Sequence, residues 1–190
     1  MKEFKGYKKG INLGGWLSQC EHKKEHYESF ITESDIKRIS EWGLDHIRLP
    51  IDYELVRFYD DSYIEDGFGY IDRCLEWCEK YKLNMILDLH KTAGFSFDEK
   101  ADDFFRSFSL QDKFVSLWEE FSRRYGMYSN RLSFELLNEV VDENVADIWN
   151  NIIKRTIPAI RKYAPLTKIL VGGARNNSVL WVKTLDEPYD

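Results

Sequence analysis

The residues with the greatest capacity for chemistry lie near the ends of three short apolar runs. Each run carries two polar side chains an even number of residues apart, and the alternation along a strand places such residues on one face. The pairs are His46 and Arg48, Asp88 and His90, and Glu135 and Glu139. Charged groups buried together are costly unless they are paired, so these residues either support one another or take part in a reaction.

Asn138-Glu139 gives the most specific chemical indication. The Glu139 carboxyl group can donate or accept a proton, and the Asn138 amide can hydrogen-bond a substrate hydroxyl. Cleavage of a glycosidic bond requires two carboxylates, one as acid and one as nucleophile or base. An Asn-Glu dipeptide is common and is weak evidence by itself. It becomes informative here because it follows a predicted strand, in register with Arg48 and His90 near the ends of their own strands. The sequence therefore predicts Glu139 as the proton donor of a sugar-cleaving site.

The remaining members of the three pairs differ in their depth along the strands. Arg48 and His90 stand near the strand ends, where they can meet a ligand. Asp88 and Glu135 lie deeper, and we expect them to hold Arg48 or a histidine in place. We interpret His46 as a packed interior histidine.

Strands and helices must position these residues. Along the chain, short apolar runs typical of strands alternate with longer stretches in which apolar residues recur at helical spacing. Strands are predicted at residues 10–13, 44–49, 83–89, 131–137 and 168–171. Helices are predicted at residues 32–42, 68–81, 110–125 and 144–163, with a short helix or turn at 178–184 and a bend near Pro158. Thr32 and Asp35 form a helix start signal, and Gly43 forms a stop signal. Residues 95–112 are the longest irregular stretch, either a mobile surface loop or one that shapes a cleft.

This order of strands and helices predicts an α/β fold with parallel strands and right-handed crossovers. Two architectures fit, an open doubly wound sheet and part of a closed barrel. Neither G-x-G-x-x-G nor G-x-x-x-x-G-K-[ST] follows a strand, so the common phosphate-binding motifs of open sheets are missing. Polar residues instead cluster at the C-terminal strand ends, where barrel enzymes have their active sites. The pattern favours a barrel, without a domain boundary in residues 1–190.

Composition and charge argue against two kinds of partner. The 190 residues are 43% hydrophobic and 32% charged, with a net charge of −6 and no basic stripe, so we expect no nucleic acid partner. No apolar run reaches the ~18 residues of a membrane span, and the N-terminus has no secretory h-region. We therefore expect no membrane partner and a cytoplasmic location, unless a leader precedes this sequence.

The cysteines and histidines do not indicate a metal centre. Cys74 and Cys78 fall on the buried stripe of a predicted helix, which favours core packing. Asp88 and His90 are only two ligands, and no convincing third is in view. We therefore predict neither a metal nor another cofactor.

Four stretches, in order along the chain, resemble the cellulase-type glycoside hydrolase family 5. They are GINLGGW at residues 10–16, HIRLP at 46–50, LDLH at 87–90 and FELLNE at 134–139, and the whole is most similar to the single-domain bacterial enzymes of the endoglucanase C type. The resemblance implies a (β/α)8 TIM barrel and a retaining mechanism. The roles that it implies are Glu139 as general acid/base, Asn138 at the sugar 2-hydroxyl, Arg48 as the arginine that keeps the nucleophile ionised, His90 on the substrate side, and Trp16 and Asn176 as further sugar contacts.

Two departures accompany this resemblance. Val140 stands where the family usually has proline after Asn-Glu, and proline there would only stiffen the chain. The family's nucleophile, a glutamate after a later strand, has no counterpart, and Asp186 and Glu187 are expected to be exposed turn residues. With five strands counted, residues 1–190 are expected to be the N-terminal portion of one barrel domain, about the first five β/α units.

Two functions remain open from the sequence. One is hydrolysis of a β-glucan by a barrel whose second carboxylate lies beyond these five units. The other is a catalytically incomplete half-barrel that binds glucan oligo- or polysaccharide, or that needs a partner chain such as the C-terminal half of the barrel. We expect a β-1,4 or mixed-linkage glucan, with mannan and β-1,3-glucan as alternatives, and the sequence does not distinguish endo from exo cleavage.

Overall fold

Short parallel strands form the framework of the structure. The computed structural model describes residues 4–98 and 102–186, and its strands are β1 (Gly10–Asn12), β2 (His46–Asp52), β3 (Asn84–Lys91), β4 (Leu132–Glu135) and β5 (Lys168–Leu170). Within this described part they form one five-stranded sheet in the order β1-β2-β3-β4-β5. In the parallel pairs, Asn12 of β1 lies opposite Arg48 of β2, and Glu135 of β4 lies opposite Leu170 of β5. The predicted α/β class and the five parallel strands are confirmed.

Helices connect the strands, as parallel pairing requires. In the described residues the α-helices are α1 (Lys24–Ser29), α2 (Glu33–Glu41), α3 (Glu65–Lys80), α4 (Asp103–Arg106), α5 (Phe108–Tyr125) and α6 (Ala146–Arg161). Short 3-10 helices lie at Tyr53–Leu55, Gly126–Tyr128, Glu143–Val145 and Val179–Thr184, and a turn lies at Ala174–Asn177. None of the helices in these ranges has both the length and the apolarity to cross a bilayer.

Strand β2 is longer than predicted, because the chain stays paired beyond Pro50. Proline removes one backbone donor, and the predicted strand therefore ends at residue 49. The pairing resumes at once, since Ile51 bridges Leu17 and the backbone N–H of Asp52 donates to the Leu17 carbonyl at 3.1 Å. Asp52 is thereby placed at the end of the strand.

The stretch 95–112 is less irregular than predicted. Helix α4 lies inside it and α5 begins inside it, while residues 99–101 lie outside the described part. The side chains of Phe104 and Phe105 are buried, and the Gln111 amide donates to the carbonyl of Phe104 at 3.1 Å. These contacts stabilise a helical segment that the spacing of apolar residues alone did not predict. Helix α1 was likewise not predicted.

The structure divides into two compact units, of which the first is Met1–Asp88. Helix α2 in this unit begins as predicted, because the Asp35 carboxylate accepts a hydrogen bond from the backbone N–H of Thr32 at 2.9 Å. Gly43 follows the helix with a φ of 76°, which a residue with a side chain rarely adopts. Cys74 and Cys78 are free thiols buried in the core of this unit, as their spacing predicted.

The second unit, Leu89–Asp190, has an aromatic core. Its largest fully buried side chains come from α4, α5, β4 and α6, and include Phe104, Phe114, Trp118, Phe121, Phe134 and Trp149. Both buried indoles also donate hydrogen bonds, from Trp118 to the Leu136 carbonyl at 3.0 Å and from Trp149 to the Gly172 carbonyl at 2.9 Å. The helices of this unit are therefore tied to the chain that leaves β4 and β5.

Two further predictions concern this second unit. Pro158 lies inside α6, where it removes one helical donor, and the helix continues to Arg161. Asp186 is exposed, as predicted, and its carboxylate pairs with Lys154 at 2.5 Å. Glu187 lies outside the described residues.

Two glycines of α3 allow a matched test of packing in the first unit. A Cβ atom at Gly67 would overlap the backbone carbonyl oxygen of Leu55, whereas a Cβ at Gly69 would meet nothing within 4 Å. We expect Gly67→Ala to lower the free energy of unfolding by about 1–3 kcal/mol, because backbone must move. Gly69→Ala should be neutral or stabilising by up to about 1 kcal/mol. Urea unfolding measures both, and equal effects of the two substitutions would contradict this packing.

Candidate active site

Arg48 is held at the strand ends of the first unit by two neighbours. Its Nη2 atom lies 2.9 Å from Oδ2 of Asp88 on β3, and its Nη1 donates to Oδ1 of Asn12 on β1 at 2.9 Å. The Asp88 side chain is fully buried, while that of Arg48 is 22% exposed. A buried carboxylate requires such a cation. The arrangement matches the supporting role expected of Asp88.

His46 has a packed position in the same unit. Its Nδ1 lies 2.6 Å from Oδ1 of Asp45, and its ring lies where a side chain on Gly10 would be. The ring of Tyr7 contacts it with centroids 5.3 Å apart. These contacts agree with the interpretation of His46 as an interior histidine.

The sequence did not reveal a second buried carboxylate, that of Asp52 at the end of β2. Its oxygens accept hydrogen bonds from Ser18 Oγ at 2.7 Å and from the backbone N–H of Gln19 at 2.9 Å, and His22 Nε2 lies 3.2 Å away. Burial acts to raise the pKa of Asp52, but these three partners outweigh it and hold the pKa below its ordinary value. The sequence signal for Asp52 is its even spacing from Arg48, which counts only when β2 extends beyond Pro50.

In the second unit, the chain beyond β4 remains hydrogen-bonded as it approaches Glu139. The backbone N–H of Leu136 donates to the Leu170 carbonyl at 3.2 Å, and that of Asn138 donates to the Leu89 carbonyl at 3.1 Å. Asn138 is buried and Glu139 is partly exposed. The extended chain therefore delivers a buried amide followed by an accessible carboxylate, which is what the Asn-Glu pair required.

Asn176 approaches Glu139 from the turn that follows β5. Its Nδ2 atom donates to Oε2 of Glu139 at 2.7 Å, and its backbone N–H donates to the Val140 carbonyl at 3.1 Å. Arg175, Asn176 and Asn177 all have positive φ angles, of 56°, 57° and 56°. We call these three residues the left-handed turn. The resemblance indicated Asn176, but neither its conformation nor its partner could be read from the sequence.

His90, near the end of β3, is almost completely buried in the second unit. The ring of Phe97 meets it edge-on, with centroids 5.0 Å apart. A tight turn precedes Phe97, in which Thr92 and Phe95 exchange backbone hydrogen bonds of 3.2 and 2.9 Å. The position of His90 on the substrate side remains a prediction.

The prediction that Trp16 contacts the sugar is wrong for this structure. Its side chain is fully buried, its indole N–H donates to the Tyr27 carbonyl at 2.8 Å, and its ring stacks on Trp77. With its polar atom satisfied and its faces packed, the indole has no surface to offer a ligand. The motif GINLGGW did not distinguish a core tryptophan from a rim tryptophan.

The chemistry available in the second unit is proton transfer beside an amide. Glu139 can donate or accept a proton. Asn138, which directly precedes it, and Asn176, from the turn after β5, each supply a neutral amide that can donate and accept hydrogen bonds. Within residues 4–98 and 102–186, no three His, Cys, Asp or Glu side chains are grouped so as to hold a metal ion.

Removal of Arg48 should be costly for the fold. Arg48→Met leaves the buried Asp88 carboxylate without this cation, so we expect the free energy of unfolding at pH 7 to fall by roughly 3 kcal/mol. Lys37→Met is the matched control, because its pair with Glu41 is exposed on both sides and should matter by less than about 0.5 kcal/mol. Urea unfolding of both variants and of the Arg48→Met/Asp88→Leu double variant measures the coupling. A double variant as unstable as the sum of its single changes would contradict it.

The lowered pKa of Asp52 predicts a pH-dependent contribution to stability. A group with a lowered pKa in the folded state contributes fully above its unfolded value, about 3.9, and the contribution is lost as the pH falls through the folded value. Asp52→Asn should therefore lower the free energy of unfolding by about 1.5–3 kcal/mol at pH 7, and by progressively less as the pH falls below about 3.9. Urea unfolding at several pH values measures this difference, and a pH-independent difference would count against it.

Comparison with known proteins gives a consistent assignment. The model of the cellulase family, glycosyl hydrolase family 5, matches residues 6–190. Cellodextrinase A of Ruminococcus flavefaciens is 50% identical over 192 residues, covering 100% of this chain and 57% of the relative. Endoglucanase C of Acetivibrio thermocellus is 43% identical over 188 residues, covering 97% of this chain and 54% of the relative.

A solved structure agrees with these relatives. The clostridial cellulose synthase subunit Z of Clostridioides difficile superposes with a TM-score of 0.81 and 26% identity, over 97% of this chain and 58% of its own. The present chain thus spans little more than half the length of each of these proteins. The match across nearly all of its residues shows that the chain belongs to the cellulase family, glycosyl hydrolase family 5.

Proposed function

We propose that this chain carries the acid/base part of a retaining β-glucan hydrolase. The observation that carries the proposal is the placement of Glu139 beyond β4, partly exposed and hydrogen-bonded by the Asn176 amide, in a chain of this family. Glycosidic cleavage requires such an accessible carboxyl group on one side of the scissile bond.

In the proposed reaction, Glu139 first acts as a general acid. It donates its proton to the leaving oxygen while a second carboxylate attacks the anomeric carbon and forms a glycosyl intermediate. Glu139 then removes a proton from the water that releases the sugar. The second carboxylate is assigned to no residue of this chain, and family membership supports its supply by further β/α units.

The neighbouring side chains provide binding and electrostatics in this proposal. Asn138 hydrogen-bonds the 2-hydroxyl of the sugar, and His90 contacts the substrate near the strand end. Arg48, held by Asp88, carries a positive charge that keeps the attacking carboxylate ionised. The substrate we propose is a β-1,4-linked or mixed-linkage glucan, because the relatives are named as a cellodextrinase and an endoglucanase.

A second candidate is a half-barrel that needs a partner, and the edge of the first unit favours it. Strand β1 lies at the edge of the sheet, and beside it a cavity of about 240 Å³ is lined in part by Ile11, Phe30 and Trp42. These three side chains are 38%, 49% and 62% exposed. An open parallel edge beside exposed apolar groups is a surface that a further β/α unit would cover. The partner we propose is the C-terminal part of a family 5 barrel.

The decisive experiment supplies that part. The chain is joined to the C-terminal segment of cellodextrinase A that it does not match, and release of reducing sugar from cello-oligosaccharides is measured. We expect hydrolysis by the joined protein, and a loss of about 10²–10⁴-fold on Glu139→Gln. An aryl glucoside with an activated leaving group should lose far less in its first step, because it needs no proton.

Two controls make the outcome unambiguous. Glu76→Gln changes an exposed glutamate of α3 and should leave the rate unchanged. Full activity of the Glu139→Gln protein on unactivated oligosaccharides would refute the assignment of the acid/base. Hydrolysis of the same oligosaccharides by the unjoined chain would refute the need for the C-terminal part.

A further inference from the structure

The loop that connects β2 to α3 carries two exposed aromatic side chains. Phe58 is 55% exposed and Tyr59 is 91% exposed, and we call this pair the aromatic tip. A single exposed apolar side chain is ordinary, but two consecutive rings concentrate apolar surface at one point of the molecule. Surface of this kind commonly marks a place where a ligand or a partner binds.

Hydrogen bonds within the loop fix the backbone that carries the aromatic tip. The backbone N–H of Phe58 donates to the Ser62 carbonyl at 2.9 Å, and that of Asp61 donates to the Phe58 carbonyl at 3.1 Å. Behind the tip, Arg57 and Tyr63 pair as an antiparallel bridge, and the Arg57 guanidinium lies over the Tyr63 ring, 5.6 Å from its centroid. The backbone beneath the rings is therefore ordered before any ligand arrives, which lowers the entropic cost of binding.

The polar side chains of the loop are engaged within the loop itself. Asp60 Oδ1 accepts hydrogen bonds from the Ser62 backbone N–H at 3.0 Å and from Ser62 Oγ at 2.6 Å. Asp61 Oδ1 lies 3.3 Å from Nε of Arg57. The loop therefore offers a ligand chiefly the apolar faces of its two rings.

The aromatic tip lies near the C-terminal end of β2. Burial raises the pKa of Tyr53 to about 12, with further contributions from Glu54 and from the phenol of Tyr59. An electrostatic effect of this kind requires proximity, and Tyr53 directly follows Asp52, the last residue of β2. Active sites of barrel enzymes are built from the loops at this end of the strands. The tip therefore belongs to the loops that would border a site on these strands.

The charges around the aromatic tip favour a neutral ligand. Five exposed carboxylates lie close to it in the chain, namely those of Glu54, Asp60, Asp61, Glu65 and Asp66. Because like charges repel, a phosphate, a nucleic acid or an anionic lipid surface is disfavoured here. The net charge of −6 acts in the same direction.

The area of the aromatic tip favours a small ligand over a protein. Two aromatic side chains offer at most about 300–500 Å² of surface. A stable protein partner buries roughly 800 Å² on each side, and the exposed carboxylates interrupt the apolar surface around the tip. The tip therefore has the size of a site for one or two sugar rings.

A β-linked glucose unit has the matching chemistry. Its C–H bonds point to the two faces of the sugar ring, while its hydroxyls point outward around the edge. Such a face stacks on the electron-rich face of an aromatic ring, and the hydroxyls keep their contact with water. The ligand is neutral, so the neighbouring carboxylates do not repel it.

We propose that the aromatic tip is an additional sugar-binding subsite, at which Phe58 and Tyr59 stack against glucose units of a β-glucan chain away from the bond that is cleaved. The proposal rests on the β-glucan substrate of the proposed function and extends it to the loop between β2 and α3. Units of the polymer beyond the reacting pair contribute through binding alone. The tip therefore acts on the affinity for longer oligosaccharides.

The test measures binding by this chain and needs no hydrolysis. The ¹⁵N-labelled protein is titrated with cellohexaose, and its backbone amide signals are followed by NMR. We expect the amides of residues 57–63 to shift. Tyr59→Ala and Phe58→Ala should each raise the dissociation constant about three- to tenfold, because each removes one stacking face.

Matched variants separate stacking from other effects. Tyr59→Phe keeps the ring without its hydroxyl, and should bind cellohexaose within about twofold of the unchanged chain. Phe108→Ala removes a ring that is 79% exposed on α5, away from this loop in the chain, and should leave binding unchanged. Because Tyr59 is so exposed, Tyr59→Ala should also unfold at the same urea concentration as the unchanged chain, which distinguishes a binding role from a structural one.

Each outcome bears on the proposal. Unmoved amides in residues 57–63 at millimolar cellohexaose, or equal weakening of binding in Phe108→Ala, would overturn it. Shifts of these amides with protein concentration in the absence of sugar would assign the tip to contact between copies of the chain, and would overturn it as well. If cellohexaose binds through the tip but the joined protein does not hydrolyse it, that failure counts against the proposed function and leaves the subsite standing.

Discussion

The buried carboxylate of Asp88 imposes a strong constraint on the first unit. A charge without access to water is tolerable only with a partner and hydrogen bonds, and Arg48 supplies a cation 2.9 Å away. The pair joins β2 to β3, and the further bond from Arg48 to Asn12 extends the connection to β1. The polar side chains of three adjacent strands are thereby held next to one another, as a site built on these strands would require. Stability and the presentation of Arg48 are consequences of the same interaction.

The second unit positions its chemical groups by backbone rather than by charge pairing. The chain leaving β4 keeps its hydrogen bonds to both sides as far as Asn138, so the following residue has little freedom. The left-handed turn then brings an amide to Glu139 by bonding first to the main chain of Val140. The side chain of Glu139 is partly exposed, and hydrogen bonds hold both its carboxylate and the adjacent backbone. The acid/base role proposed for Glu139 requires both properties.

Family membership and partial coverage have different consequences for function. The match over residues 6–190 establishes the family, and the segments that carry the candidate site residues lie inside it. A retaining mechanism nevertheless divides its work between two carboxylates from different strands. The exposed apolar side chains beside β1 have a simple physical reading in this light, since an edge of a parallel sheet is normally covered by the next unit.

The sequence alone determined the features that depend on local pattern. Period and cap residues predicted the strands, most helices and the buried cysteines of α3, since alternation and helical spacing are properties of neighbouring residues. Parity along the strands indicated Arg48, Asp88, His90 and Glu139 as candidates, the Asn-Glu dipeptide added Asn138, and resemblance added Asn176. Tertiary structure decided what depends on distant partners. Trp16 proved to be core because Tyr27 and Trp77 enclose it, and Asp52 became buried because Ser18, Gln19 and His22 close over it. The meeting of Asn176 with Glu139 depends on a strained turn held by residues on either side of it, and no local propensity favours that conformation.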